Sequence, residues 1–280
     1  MHVSPKAILA QYGLKPQKHL GQNFLINPLT CQQIVAKGQI GPSDVVVEIG
    51  AGLGSLTLPL SQRAKQVIAI EFDPKLAEIL EGILKEQEVQ NVKIWIGDAL
   101  RFNYEAVFNA HGQKIKIVGN LPYQISSPLL FLFLEKRHVT KSLTLMFQKE
   151  VAERLMARPR SKKYGLLSVL YGLTAQIHPI LKLKPASFYP PPKVGSEVIQ
   201  IEWRLPAPEI PSSFITFLKR LFGQRRKTIL NCLKAVGPKE TIERLIRDLG
   251  LNPLDRPEVI SPQQLLRLFW QLQRSKAVKR

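Results

Sequence analysis

The tetrapeptide Asn120-Leu121-Pro122-Tyr123 directly follows the apolar run Ile115 to Gly119. A polar amide, a rigid turn and an aromatic ring therefore stand together at the end of a predicted strand. Those residue types suit chemistry on the amino group of a nucleobase. The amine of adenine is a poor nucleophile because its lone pair is delocalised into the ring, so an enzyme must draw that pair out of the plane. The Asn120 side-chain oxygen and a main-chain carbonyl at Leu121 or Pro122 could accept the two amino hydrogens, while the Tyr123 ring stacks on the base at roughly 1–3 kcal/mol. No strong general base is then needed. The same residues also describe an ordinary strand-to-helix turn, with Pro122 setting the backbone angle and Tyr123 capping the core. The rest of the chain must decide between the two.

A second constellation lies upstream. Val45 to Ile49 runs into Gly50-Ala51-Gly52-Leu53-Gly54, where missing side chains let the backbone approach a ligand. Glu71 ends the next predicted strand, and an acidic side chain at that spacing can accept both ribose hydroxyls of a nucleoside. A dinucleotide would be held by the same layout, but position 55, where the dinucleotide pattern wants glycine, is Ser55, and Gly54 comes one residue early. Asp98, after a third strand, could accept from an adenine amino group. Taken singly, Glu48, Glu71 and Asp98 read as solvated residues at strand ends. Together, at one sheet edge, they point to an adenosyl cofactor without a required pyrophosphate, and S-adenosylmethionine fits best.

These groups need a scaffold that gathers strand ends. Short β-branched runs recur at Val45 to Ile49, Val67 to Glu71, Val92 to Ile96, Ile115 to Gly119 and Ser142 to Phe147. Helical spacing between them, over Leu53 to Ala64 and Pro74 to Glu86, predicts a parallel sheet with crossover helices. Ligands bind such sheets at the carboxyl ends of the strands. A helical stretch from Tyr164 to Leu173, a run from Gln176 to Leu183 and an alternating strand from Glu197 to Trp203 follow, the last two expected to pair antiparallel. The expectation is an α/β fold with a doubly wound, mostly parallel seven-stranded sheet. Pro206, Pro208 and Pro211 punctuate the chain, and residues 207–280 read as helices only. The expected division is a catalytic domain over 1–206 and a basic, all-α, RNA- or ribosome-binding domain over 207–280.

The 280 residues carry 40 Lys and Arg against 21 Asp and Glu, a formal charge of +19. An excess this large favours a polyanionic partner, nucleic acid before an anionic membrane. Residues 207–280 hold 15 of the Lys and Arg against 6 Asp and Glu, so the charge is enriched there. No apolar stretch is long enough to cross a bilayer and no secretory signal is recognisable, so a soluble, cytoplasmic protein is expected. Cys31 and Cys232 are in no metal or redox spacing and the five His are scattered, so neither a metal nor a histidine-based nucleophile is expected.

From about Lys18 to Ser261 the chain resembles the bacterial small-subunit ribosomal RNA adenine dimethyltransferases, which dimethylate two neighbouring adenines near the 3′ end of that RNA. The matching segments are Gly21-Gln22-Asn23-Phe24-Leu25, Glu48 to Gly54, Glu71-Phe72-Asp73, Gly97-Asp98-Ala99, Gly119 to Tyr123, Phe147 to Val151, Ser187 to Val194, Phe222 to Asn231 and Arg256-Pro257-Glu258. The resemblance implies that Asn23, Leu25, Gly50, Glu71, Asp98 and Asn120 contact S-adenosylmethionine. It further implies that Asn120 and Pro122 hold the reacting amine, that Tyr123 stacks on the adenine and that Phe188 closes its opposite face. Packing within its own loop is the other reading of Phe188. Gln124 replaces the family's usual Asn, which bears on the shape of the target pocket, and Ala51 replaces a common Pro. A basic helix bearing Arg225, Arg226 and Lys227 is expected to grip RNA. It also separates this group from antibiotic-resistance methyltransferases of the large subunit, whose C-terminal parts differ.

The resemblance thus implies a monomeric enzyme acting on a small-subunit precursor and its rRNA, with a part in ribosome biogenesis. Three other readings compete: an assembly factor that works mainly by binding, a large-subunit rRNA methyltransferase, and a DNA adenine methyltransferase. The last usually has a more acidic first motif residue than Asn120.

Overall fold

The runs Val45–Ile49, Gln66–Glu71 and Ile115–Asn120 form central parallel strands because they are buried on both faces, which is where near-continuous β-branched sequence is stable. In the computed structural model, which describes residues 4–277, the strands in chain order are β1 (Phe24–Leu25), β2 (Val45–Ile49), β3 (Gln66–Glu71), β4 (Val92–Ile96), β5 (Ile115–Asn120), β6 (Thr140–Gln148), β7 (Ala175–Leu183), β8 (Phe188–Tyr189) and β9 (Ser196–Trp203). Seven of them make one sheet in the order β4-β3-β2-β5-β6-β9-β7, and β1 and β8 make a separate antiparallel pair. Strands β2 to β6 are mutually parallel, while β9 runs antiparallel to β6. The order reverses at β2 and β5, so their carboxyl ends open a crevice between them.

Side chains alternate across the sheet. Val46, Val67 and Val118 share one face and are buried against Cys31, Ile34, Val35 and Leu60, which come from the helices Pro28–Lys37 and Thr57–Ser61. The opposite face, with Val47, Ile68, Ile70 and Ile117, is equally buried. Helix Pro74–Glu86 starts where proline at the first position and an Asp73 cap accepting from Lys75 N predict it. The helix expected over Leu53 to Ala64 is shorter. Only Thr57–Ser61 is helical, because Gly52 and Gly54 hold left-handed angles (φ 56° and 84°) that carry the glycine turn past Ser55 before a helix can begin.

The chain forms two compact units. One comprises residues 1–152 and 177–203, the other residues 153–176 and 204–280. The helical unit therefore also takes in residues 153–176, which the proline punctuation places with the sheet. The reason is burial: helix Leu166–Thr174 hides Val169, Leu170, Tyr171 and Leu173, and it packs against helices Ser212–Gly223 and Pro262–Ala277. The Tyr164 hydroxyl donates to the carbonyl of Ile260 at 3.0 Å, and Phe214, Phe217 and Phe269 pack ring to ring. Helices Ile229–Leu233 and Lys239–Asp248 complete this unit. No helix among the described residues is long and apolar enough to cross a membrane.

Candidate functional site

The carboxyl ends of β2, β3 and β5 open on a cavity of about 310 Å³. Its lining includes Gln22, Asn23, Leu25, Glu48, Gly50, Glu71, Phe72, Asp98, Asn120, Pro122 and Gln124. The cavity thus brings together every residue that the resemblance assigns to the methyl donor.

Glycine is required at two points around it. Gly50 turns the chain at φ 72°, and a Cβ there would lie 3.3 Å from the carbonyl oxygen of Asn120. At Gly119, which pairs with Ile49, a Cβ would meet the Ile49 carbonyl at 2.7 Å. The glycine turn and the Asn120 turn can therefore approach closely only without side chains.

Glu71 is buried and already oriented. Its Oε2 accepts from Gly52 N at 2.7 Å and its Oε1 from Asp73 N at 2.9 Å. A carboxylate has about four acceptor sites, so each oxygen keeps one for a further donor such as a ribose hydroxyl. Burial and the Asp73 charge raise its pKa, against the opposing pull of the backbone N–H groups. Asp98 is half-buried, with Oδ1 accepting from Leu100 N at 2.9 Å.

Glu48 is the more unusual acid. It is fully buried at the cavity lining, and neither its Oε2 nor the Thr57 hydroxyl has a hydrogen-bond partner. Burial pushes its pKa up to about 8, the nearby Thr57 hydroxyl opposes this, and the Glu71 charge adds to it. An unpartnered buried oxygen is costly unless a ligand completes it, and a cationic ligand would do so best.

The segment over the cavity is held by amides. Gln17 Nε2 and Gln22 Nε2 both donate to Asp73 Oδ2, at 2.8 and 3.0 Å, and Gln22 Oε1 accepts from Gln17 N at 2.8 Å. Asn23 Nδ2 donates to the Gly21 carbonyl, and the Asn23 carbonyl accepts from Asn120 Nδ2 at 2.8 Å. That last bond sets the Asn120 amide: the nitrogen is engaged and Oδ1 is left as an acceptor.

The remaining expected residues are placed differently. The Pro122 carbonyl receives Ile125 N at 3.2 Å and Ser126 Oγ at 3.4 Å, so both of its lone pairs are used. The Leu121 carbonyl receives no bond among the described residues and is the better second acceptor. Tyr123 is half-buried, outside the cavity lining, with its hydroxyl 3.1 Å from Ser196 Oγ and either group able to donate. Phe188 is buried in the core with Leu25, Val46, Val118 and Val198, because β8 pairs with β1 in a register that sets Phe188 opposite Leu25. The structure does not bring it to the cavity. Arg225, Arg226 and Lys227 stand in the turn after helix Ser212–Gly223, not on a helix.

Phe72 escaped the reading of types and spacing. The residue is 58% exposed and lines the cavity beside Glu71, where its ring can cover a flat base. An aromatic directly after the acid expected to meet a ribose was the available signal. Among the described residues no cluster of three or more His, Cys, Asp or Glu is placed to hold a metal ion.

A sequence model described as ribosomal RNA adenine dimethylase matches residues 13–274. The chain is 39% identical to a ribosomal RNA small subunit methyltransferase A of Desulfotalea psychrophila, over 93% of this chain and 92% of that one. It is 41% identical to the enzyme of the same name from Syntrophus aciditrophicus, over 94% and 96%. In structure it resembles a dimethyladenosine transferase from Plasmodium falciparum, with a TM-score of 0.79 at 26% identity over 90% of this chain and 98% of that one. It also resembles the 23S rRNA methyltransferase ErmE, with a TM-score of 0.68 at 26% identity over 90% and 100%.

Proposed function

The chain belongs to the ribosomal RNA adenine dimethylase family, and from that membership we propose that it dimethylates the exocyclic amines of two adjacent adenines near the 3′ end of small-subunit ribosomal RNA. Its substrate in this reading is a precursor of the small subunit, its working form a monomer and its place the cytoplasm, where such precursors are met. The observation that carries the reaction is the Asn120 amide, whose nitrogen is committed to the Asn23 carbonyl and whose oxygen is left to accept.

S-adenosylmethionine, the methyl donor of the family, supplies an electrophilic methyl group when bound. The residues present fit it. Glu71 has acceptor capacity for ribose hydroxyls, Asp98 offers a carboxylate at the cavity lining to which an adenine amine could donate, and Phe72 offers an aromatic face to a flat ring. Glu48 has an unpartnered oxygen for a cationic group. Asn23, Leu25 and Gly50 shape the walls.

At the target base, Asn120 Oδ1 and the Leu121 carbonyl accept the two amino hydrogens. This turns the nitrogen lone pair out of the ring plane and toward the electrophile, with most of the advantage coming from orientation. The proton lost afterwards passes to water. The adenine must leave its stack at a cost of a few kcal/mol, offset by stacking on Tyr123 and by phosphate contacts with the basic helical unit. Phe188 would face the base only after leaving the core packing described above.

Incubation with labelled donor and under-methylated small subunits, large subunits or duplex DNA, followed by mapping of the modified adenines, tests this. Label confined to two adjacent small-subunit adenines supports it. Label in the large subunit or in DNA replaces it with one of the competing readings.

A further inference from the structure

Arg225 does not present a free guanidinium. Its NH2 group donates to the carbonyls of Lys162 and Tyr164, at 2.7 and 3.2 Å, and pairs with Glu258 Oε2 at 3.1 Å. One guanidinium nitrogen thus ties the turn after helix Ser212–Gly223 to the loop 158–164 and to the segment around Glu258. All three bonds converge on that one nitrogen, which the guanidinium carries one bond farther from the backbone than a lysine carries its ammonium.

The loop so tied has the sequence Arg158-Pro159-Arg160-Ser161-Lys162-Lys163. All four of its cations are exposed. Lys163 pairs with Glu153, whereas the side chains of Arg158, Arg160 and Lys162 have no partner among the described residues. Arg160 also holds a left-handed backbone (φ 72°), which residues with a Cβ rarely adopt. Its N–H donates to the Glu258 carbonyl at 2.7 Å, which helps hold that conformation. A strained, unpaired arginine kept in place by a bond to a distant segment is the kind of feature that marks a binding surface.

We propose that the loop 158–163, together with Arg226 and Lys227, forms a phosphate-binding surface for the RNA substrate, and that Arg225 and Glu258 act as positioning residues that hold the loop in shape. RNA is favoured over an anionic membrane because the loop offers no apolar side chain to insert among lipids beyond its proline. The inference rests on the rRNA reading above and deepens it by naming the surface that grips the backbone.

The test uses the full chain and a small-subunit ribosomal RNA fragment containing the 3′ end, with affinity measured over a range of salt concentrations. Replacing Arg158, Arg160 and Lys162 together by Gln removes three phosphate contacts. The slope of log affinity against log salt should then shrink by about two, and affinity near physiological salt should fall about tenfold or more. Affinity for S-adenosylmethionine should not change.

Glu258→Ala discriminates further, because the two accounts give opposite signs. Removal of a negative charge alone would tighten RNA binding, whereas loss of the anchor for Arg225 should weaken it about threefold or more. Arg225→Lys keeps the charge but is one bond shorter and cannot bring its nitrogen to all three acceptors, so it should weaken binding as Glu258→Ala does, with melting temperature confirming that both variants fold. An unaffected triple variant beside wild-type protein that binds and methylates RNA overturns the loop assignment and leaves the function standing. Tighter binding by Glu258→Ala overturns the positioning role. Wild-type protein that binds no RNA overturns the function and the surface together.

Discussion

Asn120 Nδ2 donates to the main-chain carbonyl of Asn23 across 2.8 Å, joining the end of β5 to a segment 97 residues earlier. The bond engages the nitrogen of the amide and leaves its oxygen as the end open to a ligand. Asn120→Asp tests it directly. The variant keeps an acceptor but sets a carboxylate oxygen against the Asn23 carbonyl, leaving two acceptors without a hydrogen between them, a penalty of about 1–3 kcal/mol. Methyl transfer should fall at least about a hundredfold and the melting temperature should drop. Near-normal turnover would show that the amide's orientation is irrelevant.

Glu48 predicts a pH dependence. Its carboxyl is held up to about 8 in the folded protein, against roughly 4.3 for an exposed glutamate. The folded state therefore binds the extra proton between those values, and the stability this lends at low pH is lost as pH rises through the window, by up to a few kcal/mol. The melting temperature should fall from pH 5 to pH 8 in the wild type and fall less in Glu48→Gln. Glu71 titrates in the same direction but is common to both proteins.

The same carboxyl should couple to the donor. A cationic ligand favours the ionised form, so donor affinity should rise with pH up to about 8 by as much as tenfold per unit, then level. Calorimetry across that range should find a flatter profile for Glu48→Gln. Parallel profiles would remove Glu48 from the binding site.

Tyr123 and Ser196 predict a coupled pair. Their hydroxyls lie 3.1 Å apart, and Ser196 is buried at the start of β9, where it can hold the tyrosine ring at a fixed angle. Tyr123→Phe and Ser196→Ala each remove the same bond, worth about 1 kcal/mol. Each should lower kcat/KM for RNA about fivefold with donor affinity unchanged. The double variant should be no worse than either single one, and additive losses would mean that the two act separately.

Much of this arrangement was legible in the chain because it is local. β2, β3, β4 and β5 fall where β-branched runs place them, Pro74 and Asp73 start their helix, and the glycines, Glu71, Asp98 and Asn120 gather at one sheet edge as strand ends must. What was not legible depends on pairings far apart in sequence. Phe188 is drawn into the core by its register with Leu25, the Pro122 carbonyl is consumed by the turn it begins, and Arg225 is occupied by carbonyls some sixty residues upstream. Charge and residue type are visible in a sequence; which partner a guanidinium finds is a property of the fold.

Single-turnover methyl transfer by Asn120→Ala, with donor and under-methylated small subunits both saturating, tests the central claim most directly. With the acceptor gone the amine is no longer oriented, so the rate should fall about a thousandfold or more while RNA binding stays within a few-fold of wild type. A rate close to wild type, with the same two adenines labelled, would contradict the account.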